Sequence, residues 1–137
     1  MAGELTGAMA VSAAGMDAQA TRLRVVAQNL ANQDTTSANP GADPYRRKTI
    51  SFEAVMDQSI GAQTVQVKDI GTDPSDFPSK YDPANPAANK DGYVKTPNVN
   101  SFTEIMDMRE AESSYSANLS VMQASRNMAN KTIDILK

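Results

Sequence analysis

Cysteine, histidine and tryptophan are absent from the 137 residues, and aromatic side chains of any kind make up only 5%. Without cysteine there can be no disulfide, thiolate metal site or cysteine nucleophile. Without histidine the commonest general base and zinc ligand is missing. No apolar run approaches the ~20 residues that a membrane span requires. Residues 1–14 carry no basic stretch and are interrupted by Glu4 and Thr6, so no cleavable signal peptide is expected. A chain of this kind working beyond the cytoplasm would need another export route. The net charge of −3 is spread over both signs, whereas nucleic-acid binders usually show a basic excess. The seven glycines are isolated, so no phosphate-cradling loop is present.

Proline is missing from both ends: all seven lie between Pro40 and Pro97. A proline costs roughly 3 kcal/mol inside a helix, so this partition outlines two helical ends and an irregular middle. In the first end Met9, Met16, Leu23 and Leu30 recur every seven residues, with Ala13, Ala20 and Ala27 four positions after the first three. That is a helical seam of alternating large and small residues, and a seven-residue period favours left-handed supercoiling. The expected helix runs from about Glu4 to Ala31 and stops near Asn32.

The last end opens with Ser101-Phe102-Thr103-Glu104, which reads as a capping box. Ile105, Met108, Ala111, Tyr115, Leu119, Met122, Ser125, Ala129, Ile133 and Leu136 follow in steps of three or four, as one helix face requires. Between the ends, Thr49–Phe52 and Thr64–Val67 alternate polar and apolar like half-buried strands, with Gly61 between them. Tyr93-Val94 fits a further short strand, and Tyr81 to Gly92 has the Pro/Asn/Asp/Gly composition of a loop. The fold class is therefore mainly α with a small β region. Residues 1–33 and 101–137 form paired, coiled-coil-like terminal helices, and residues 34–100 form a β/loop region.

Few residues suggest chemistry. Asp69, Asp73 and Asp76 have no visible activating partner and read as a solvated loop. Asn89, Asp91 and Gly92 echo a calcium loop, but that register puts Ala87 first and Asn98 twelfth, which removes both end ligands. Arg46-Arg47-Lys48 is the one basic cluster; it reads as a solvated strand edge or a contact for an acidic partner. No catalytic, cofactor or metal residue is identified.

The two seams fit either an intramolecular helix pair or an assembly interface. Val11, Val25, Val26, Met106, Val121, Met128 and Ile135 lie off the main stripes, giving apolar faces too broad for one partner helix. This chain owns only two long helices, so further ones would come from other subunits, and an open head-to-tail contact produces a helical filament.

One set of residues carries a family pattern. Ala14-Gly15-Met16, Arg22-Leu23 and Asn29-Leu30-Ala31-Asn32-Gln33-Asp34-Thr35 resemble the N-terminal signature of bacterial flagellar rod and hook proteins. Pro44-Tyr45-Arg46-Arg47-Lys48, Tyr81-Asp82-Pro83, Gly92-Tyr93-Val94 and Pro97-Asn98-Val99-Asn100 resemble one subgroup, the basal-body rod proteins of the FlgC type. Glu104-Ile105-Met106-Asp107-Met108 and Tyr115-Ser116-Ala117-Asn118 continue that likeness. The pattern leads one to expect histidine where Asn85 stands.

The resemblance implies a structural axial subunit of the proximal rod, with terminal helices lining an export channel in an inner layer and the middle region outside. The implied partners are other rod proteins, proximal and distal, the rod-base adaptor at the membrane-ring junction, the flagellar type III export apparatus, and copies of the same chain. No nucleic acid, small-molecule substrate or cofactor is implied. The implied location is the basal-body rod in the periplasmic space. Expected assembly contacts are Met9, Met16, Leu23 and Leu30 against Met108, Tyr115, Leu119, Met122, Ile133 and Leu136. A soluble coiled-coil adaptor or export chaperone would use the same seams on a transient partner. A periplasmic wall hydrolase with carboxylate chemistry is a third, more distant alternative.

Overall fold

The computed structural model describes residues 1–137. In chain order the elements are α1 (Ala2–Ala31), β1 (Lys48–Asp57), β2 (Ala62–Thr72), β3 (Ser79–Tyr81), β4 (Tyr93–Lys95) and α2 (Ser101–Ile135). β1 pairs with β2, and β3 pairs antiparallel with β4 in the register Ser79↔Lys95, Lys80↔Val94, Tyr81↔Tyr93. The proline-free ends are helical and the proline-rich middle supplies strands and loops, as expected. β1 and β2 each extend beyond the four residues that alternate most clearly. β3 was not foreseen, because Pro78 and Pro83 flank it and gave the segment the look of a loop.

The chain divides into two compact units. Unit 1 is Met1–Leu23, Ser51–Asp69 and Arg109–Lys137; unit 2 is Arg24–Ile50 and Ile70–Met108. Each is described by itself.

In unit 1 Gly15 lies against Asn118 and Arg22 pairs with Glu110 at 3.3 Å. As one helix advances the other retreats, so the helical pieces here are antiparallel. The contact is made of small residues. Ser12, Ala18, Ala111 and Ser125 are buried, and a Cβ added to Gly15 would fall 2.7 Å from the Asn118 amide nitrogen. Small side chains let helix axes approach closely and leave little hydrophobic contrast in the sequence. On α2 the buried Ala111 and Ser125 belong to the expected stripe, whereas on α1 the buried Ser12, Gly15 and Ala18 lie beside the expected heptad. Met9, Met16 and Leu23 are only half-buried, as are Tyr115, Met122 and Ala129, while Leu119, Ile133 and Leu136 are exposed. At the turn between the strands Gly61 takes φ +65°, a left-handed conformation natural to glycine, and donates its N–H to the Asp57 carbonyl at 2.9 Å.

In unit 2 the apolar side chains of Val25, Val26, Ala87 and Val94 are buried. Leu30 and Met108 are half-buried and Ile105 is exposed. The start of α2 corrects the expected capping box. Asn100 is the cap: its Oδ1 accepts from the Phe102 N–H at 3.0 Å and the Thr103 N–H at 3.2 Å. Ser101 instead donates its hydroxyl to Gln33 Oε1, and the Glu104 carboxylate turns inward to Arg47 and Asn29. A carboxylate finding an arginine and an amide in a buried site outweighs one weak contact with its own helix end.

Candidate assembly surface and the polar clasp of unit 2

The last turns of α1 deliver Asn29, which is 1% exposed, into the interior of unit 2. Its side-chain amide uses its full hydrogen-bonding capacity. Nδ2 donates to the Lys48 carbonyl at 2.9 Å and to Glu104 Oε2 at 3.1 Å. Oδ1 accepts from the Lys48 N–H at 2.9 Å and the Tyr45 hydroxyl at 2.8 Å. Two donors and two acceptors are all an asparagine offers. By engaging both backbone groups of Lys48, the amide takes the place of a neighbouring strand at the start of β1.

Glu104 is fully buried, yet both oxygens are engaged, Oε2 by Asn29 and Oε1 by the Nε–H of Arg47. The Arg47 guanidinium also reaches Asp107 at 3.4 Å and Asp73 at 3.6 Å, so one planar cation gathers three carboxylates. Burial by itself would lower the Arg47 pKa. The hydrogen bond to Glu104 and the charges of Glu104, Asp107 and Asp73 outweigh that and raise it. Tyr45 is also raised, first by burial and then by the Glu104 charge. Asp73 is lowered, chiefly by the amide and hydroxyl of Ser75, with Arg47 contributing less.

The basic cluster is therefore not a solvated strand edge. Besides the contacts of Arg47, Arg46 donates to the carbonyls of Asp73 at 2.7 Å and Ser75 at 3.0 Å and stacks over the Phe77 ring at 4.2 Å. Lys48 Nζ donates to Gln28 Oε1 at 3.1 Å. Its acidic partners lie within its own chain. Sequence reading missed this because the partners are up to 60 positions away, and an isolated charge gives no sign of which opposite charge it will meet.

The family-signature residues occupy structural nodes of the same unit. Asn32 closes the end of α1, donating to the Gln28 carbonyl at 2.8 Å and accepting from the Thr35 hydroxyl at 3.1 Å. Leu30 is half-buried and Ala31 exposed. Tyr81 and Tyr93 meet edge to face at 5.4 Å. Gly92 sits beneath them at φ +83°, where a Cβ would lie 2.8 Å from the Tyr81 ring and 3.2 Å from Pro83. Asn98 accepts from the Arg47 N–H at 2.8 Å and donates to the carbonyls of Asp73 and Ser75, while the neighbouring Pro97 is buried. Asn85 Oδ1 accepts from the Ala87 N–H at 2.9 Å, so the residue where histidine was expected closes a turn. The loop residues Asn89 and Asp91 do the same kind of work, with Asn89 Oδ1 accepting from the N–H groups of Asp91 and Tyr93.

The other prominent feature is apolar surface. In unit 2 Phe102 (74% exposed), Ile105 and Met106 face outward at the start of α2. In unit 1 Leu119, Val121, Met128, Ile133, Ile135 (84%) and Leu136 (81%) do so along the rest of it. Isolated apolar residues on a surface are ordinary, whereas Val121, Met128 and Ile135 recur every seven residues and so share one exposed helix face. No helix is long and apolar enough to cross a membrane.

The fold is that of two long terminal helices joined by a β and loop region, and comparison with known proteins specifies its family. Residues 90–135 match the family model described as the C-terminal region of the flagellar basal body rod FlgEFG proteins. Over 133 residues the chain is 49% identical to the flagellar basal-body rod protein FlgC of Agrobacterium fabrum, covering 97% of this chain and 96% of the relative. The FlgC protein of Bacillus subtilis is 39% identical over 142 residues, with 93% and 95% covered. That of Salmonella typhimurium is 37% identical over 127 residues, with 91% and 92% covered. The chain belongs to the FlgC family of flagellar basal-body rod proteins, a family of structural subunits.

Proposed function

We propose that this chain is an axial subunit of the proximal rod and polymerises through its terminal helices to form part of the drive shaft and of the export channel within it. The observation that carries this reading is the exposed apolar stripe of Val121, Met128 and Ile135, seven residues apart on one face of α2. The contact with α1 covers Ala111 and Ser125 and leaves the Val121–Met128–Ile135 stripe free for helices of neighbouring subunits. In the assembled rod residues 1–33 and 101–137 act as a coiled-coil-like inner layer, and residues 34–100 lie outside. Met9, Met16, Leu23 and Leu30, half-buried in the single chain, and Met108, Tyr115, Leu119, Met122, Ile133 and Leu136 become contacts between helices. The partners are neighbouring rod proteins, the rod-base adaptor, the flagellar type III export apparatus during delivery, and further copies. The work is transmission of torque through packing, with no chemical step, performed in the periplasmic part of the basal body.

Recovery of the tagged chain in detergent-washed basal bodies tests this reading. A rod subunit stays with the washed particle, whereas a soluble adaptor or export chaperone using the same helical faces washes away. Replacing Leu30 or Met122 by Asp is expected to abolish rod assembly and swimming while leaving synthesis intact. Normal swimming in either variant would contradict the reading.

A further inference from the structure

The polar clasp buries a charged pair, Arg47 with Glu104, beside the fully hydrogen-bonded amide of Asn29. A buried ion pair loses in desolvation about as much as it gains in attraction, and apolar groups of similar volume often replace it without net loss. What a polar cluster supplies, and an apolar core does not, is direction. Hydrophobic contact is nearly indifferent to a slip along the chain, whereas Asn29 can pair with the N–H and C=O of one strand residue only, here Lys48. A one-residue slip of β1 would reverse the faces of every following side chain. The Arg47 fork fixes two more segments against that point, Asp73 beyond β2 and Glu104 with Asp107 on the first turns of α2. Asn98 closes the cluster by holding the Arg47 N–H and the Asp73 and Ser75 carbonyls. Four stretches of chain therefore meet at side chains whose hydrogen bonds are satisfied in one arrangement.

We infer that Arg47 and Glu104 are positioning residues: they select the path by which the chain leaves α1, enters β1 and re-enters a helix at α2, and contribute little net stability. The consequence for assembly rests on the rod reading above; the consequence for the fold does not. Asp73 and Asp107 are partly exposed, so water can serve them when Arg47 is removed. Glu104 has no such access.

This gives a specific test in the full-length chain. Arg47→Met alone strands the Glu104 carboxylate, and its melting temperature should fall well below that of the unaltered protein. Adding Glu104→Leu should return the melting temperature close to the starting value, with helical circular dichroism retained. The double variant should nevertheless show more than one set of backbone amide NMR signals for residues 24–50 and 70–108, and should fail to restore swimming. Glu104→Gln keeps the shape but can accept only one of the two hydrogen bonds, its NH2 facing a donor at the other, so it should melt below the unaltered chain. The inference is overturned if the double variant melts no higher than Arg47→Met. It is equally overturned if the double variant gives one set of signals and swims normally. If the unaltered chain were itself missing from basal bodies, the rod reading would fail, while melting and spectra would still decide this inference.

Discussion

The two units of this chain are built on opposite chemistries. Unit 2 is held by side chains with directional demands: Asn29, Tyr45, Arg47, Asn98 and Glu104, each with named partners. Unit 1 is held by the close approach of small residues, Ser12, Gly15, Ala18, Ala111 and Ser125, and wears much of its large apolar surface outside. A directional cluster specifies one conformation in a single chain. A smooth small-residue contact with uncovered apolar flanks suits helices that complete their packing only beside others. The contrast teaches that most of the family-signature residues serve to build unit 2, while the proposed assembly contacts are left to the helix faces.

The comparison breaks most sharply at Asn29. Replacing it with Leu removes four hydrogen bonds and leaves the Lys48 backbone groups without a partner. A loss of about 3 kcal/mol or more is expected in urea unfolding. No side chain on the contact face of unit 1 should cost as much for its polar interactions alone.

A smaller effect is expected at Gly92. Alanine there must adopt φ +83° and meets the Tyr81 ring at 2.8 Å, a strain of roughly 1–3 kcal/mol. The same unfolding experiment measures it, and the near-ultraviolet circular dichroism of Tyr81 and Tyr93 should change with it.

Two glycines of α1 sharpen the account of unit 1, because the same substitution should act differently at each. Gly7→Ala meets nothing within 4 Å and should gain up to about 1 kcal/mol from helix propensity. Gly15→Ala brings a methyl to 2.7 Å from the Asn118 amide, so that side chain must turn away from the Ser114 carbonyl, and the gain should be smaller than at Gly7 or absent. Equal effects at both positions would mean that the helices do not approach closely at Gly15.

Dependence on pH separates the units more gently. Asp73 in unit 2 is held low by Ser75 and Arg47, and Asp57 in unit 1 by the hydroxyl and amide of Ser59. Each contributes stability in full above the ordinary carboxylate value of 3.8 and loses it as pH falls through the lower folded-state value. Tyr45 has the opposite sign. Its folded-state pKa lies above the ordinary 10.0, so its contribution is complete below that pH and is lost as pH rises through the folded-state value. Acid should therefore loosen both units, whereas alkali acting through Tyr45 should loosen unit 2. Amide exchange followed across pH checks both limbs.

Much of this was legible in the sequence. The confinement of proline between Pro40 and Pro97 gave both helices to within a few residues, and Gly61 marked the turn between β1 and β2. The packed face was harder to read. Met9, Met16, Leu23 and Leu30 dominate the heptad pattern because they are large, yet Gly15 and Ala18 make the closer contact because they are small. Hydrophobic periodicity sees size and misses absence. The clasp was hidden for another reason. Asn29 and Asn98 stood out as signature residues, but nothing local indicates that Asn29 will meet Lys48 and Glu104, or that Arg47 will gather three carboxylates. The capping box failed by one position because Ser101 and Glu104 suit it by type, while Asn100 takes the role and frees Glu104 for the interior.

The central claim is that the outward apolar face of α2 serves contacts between chains and not the fold of one chain. Replacing Met128 and Ile135 together by Asp tests it most directly, since both side chains are at least half exposed. The melting curve and helical circular dichroism of the isolated protein should stay within about 0.5 kcal/mol of the unaltered chain. Swimming and recovery of the chain in washed basal bodies should be lost. Normal swimming with normal recovery in basal bodies would contradict the account.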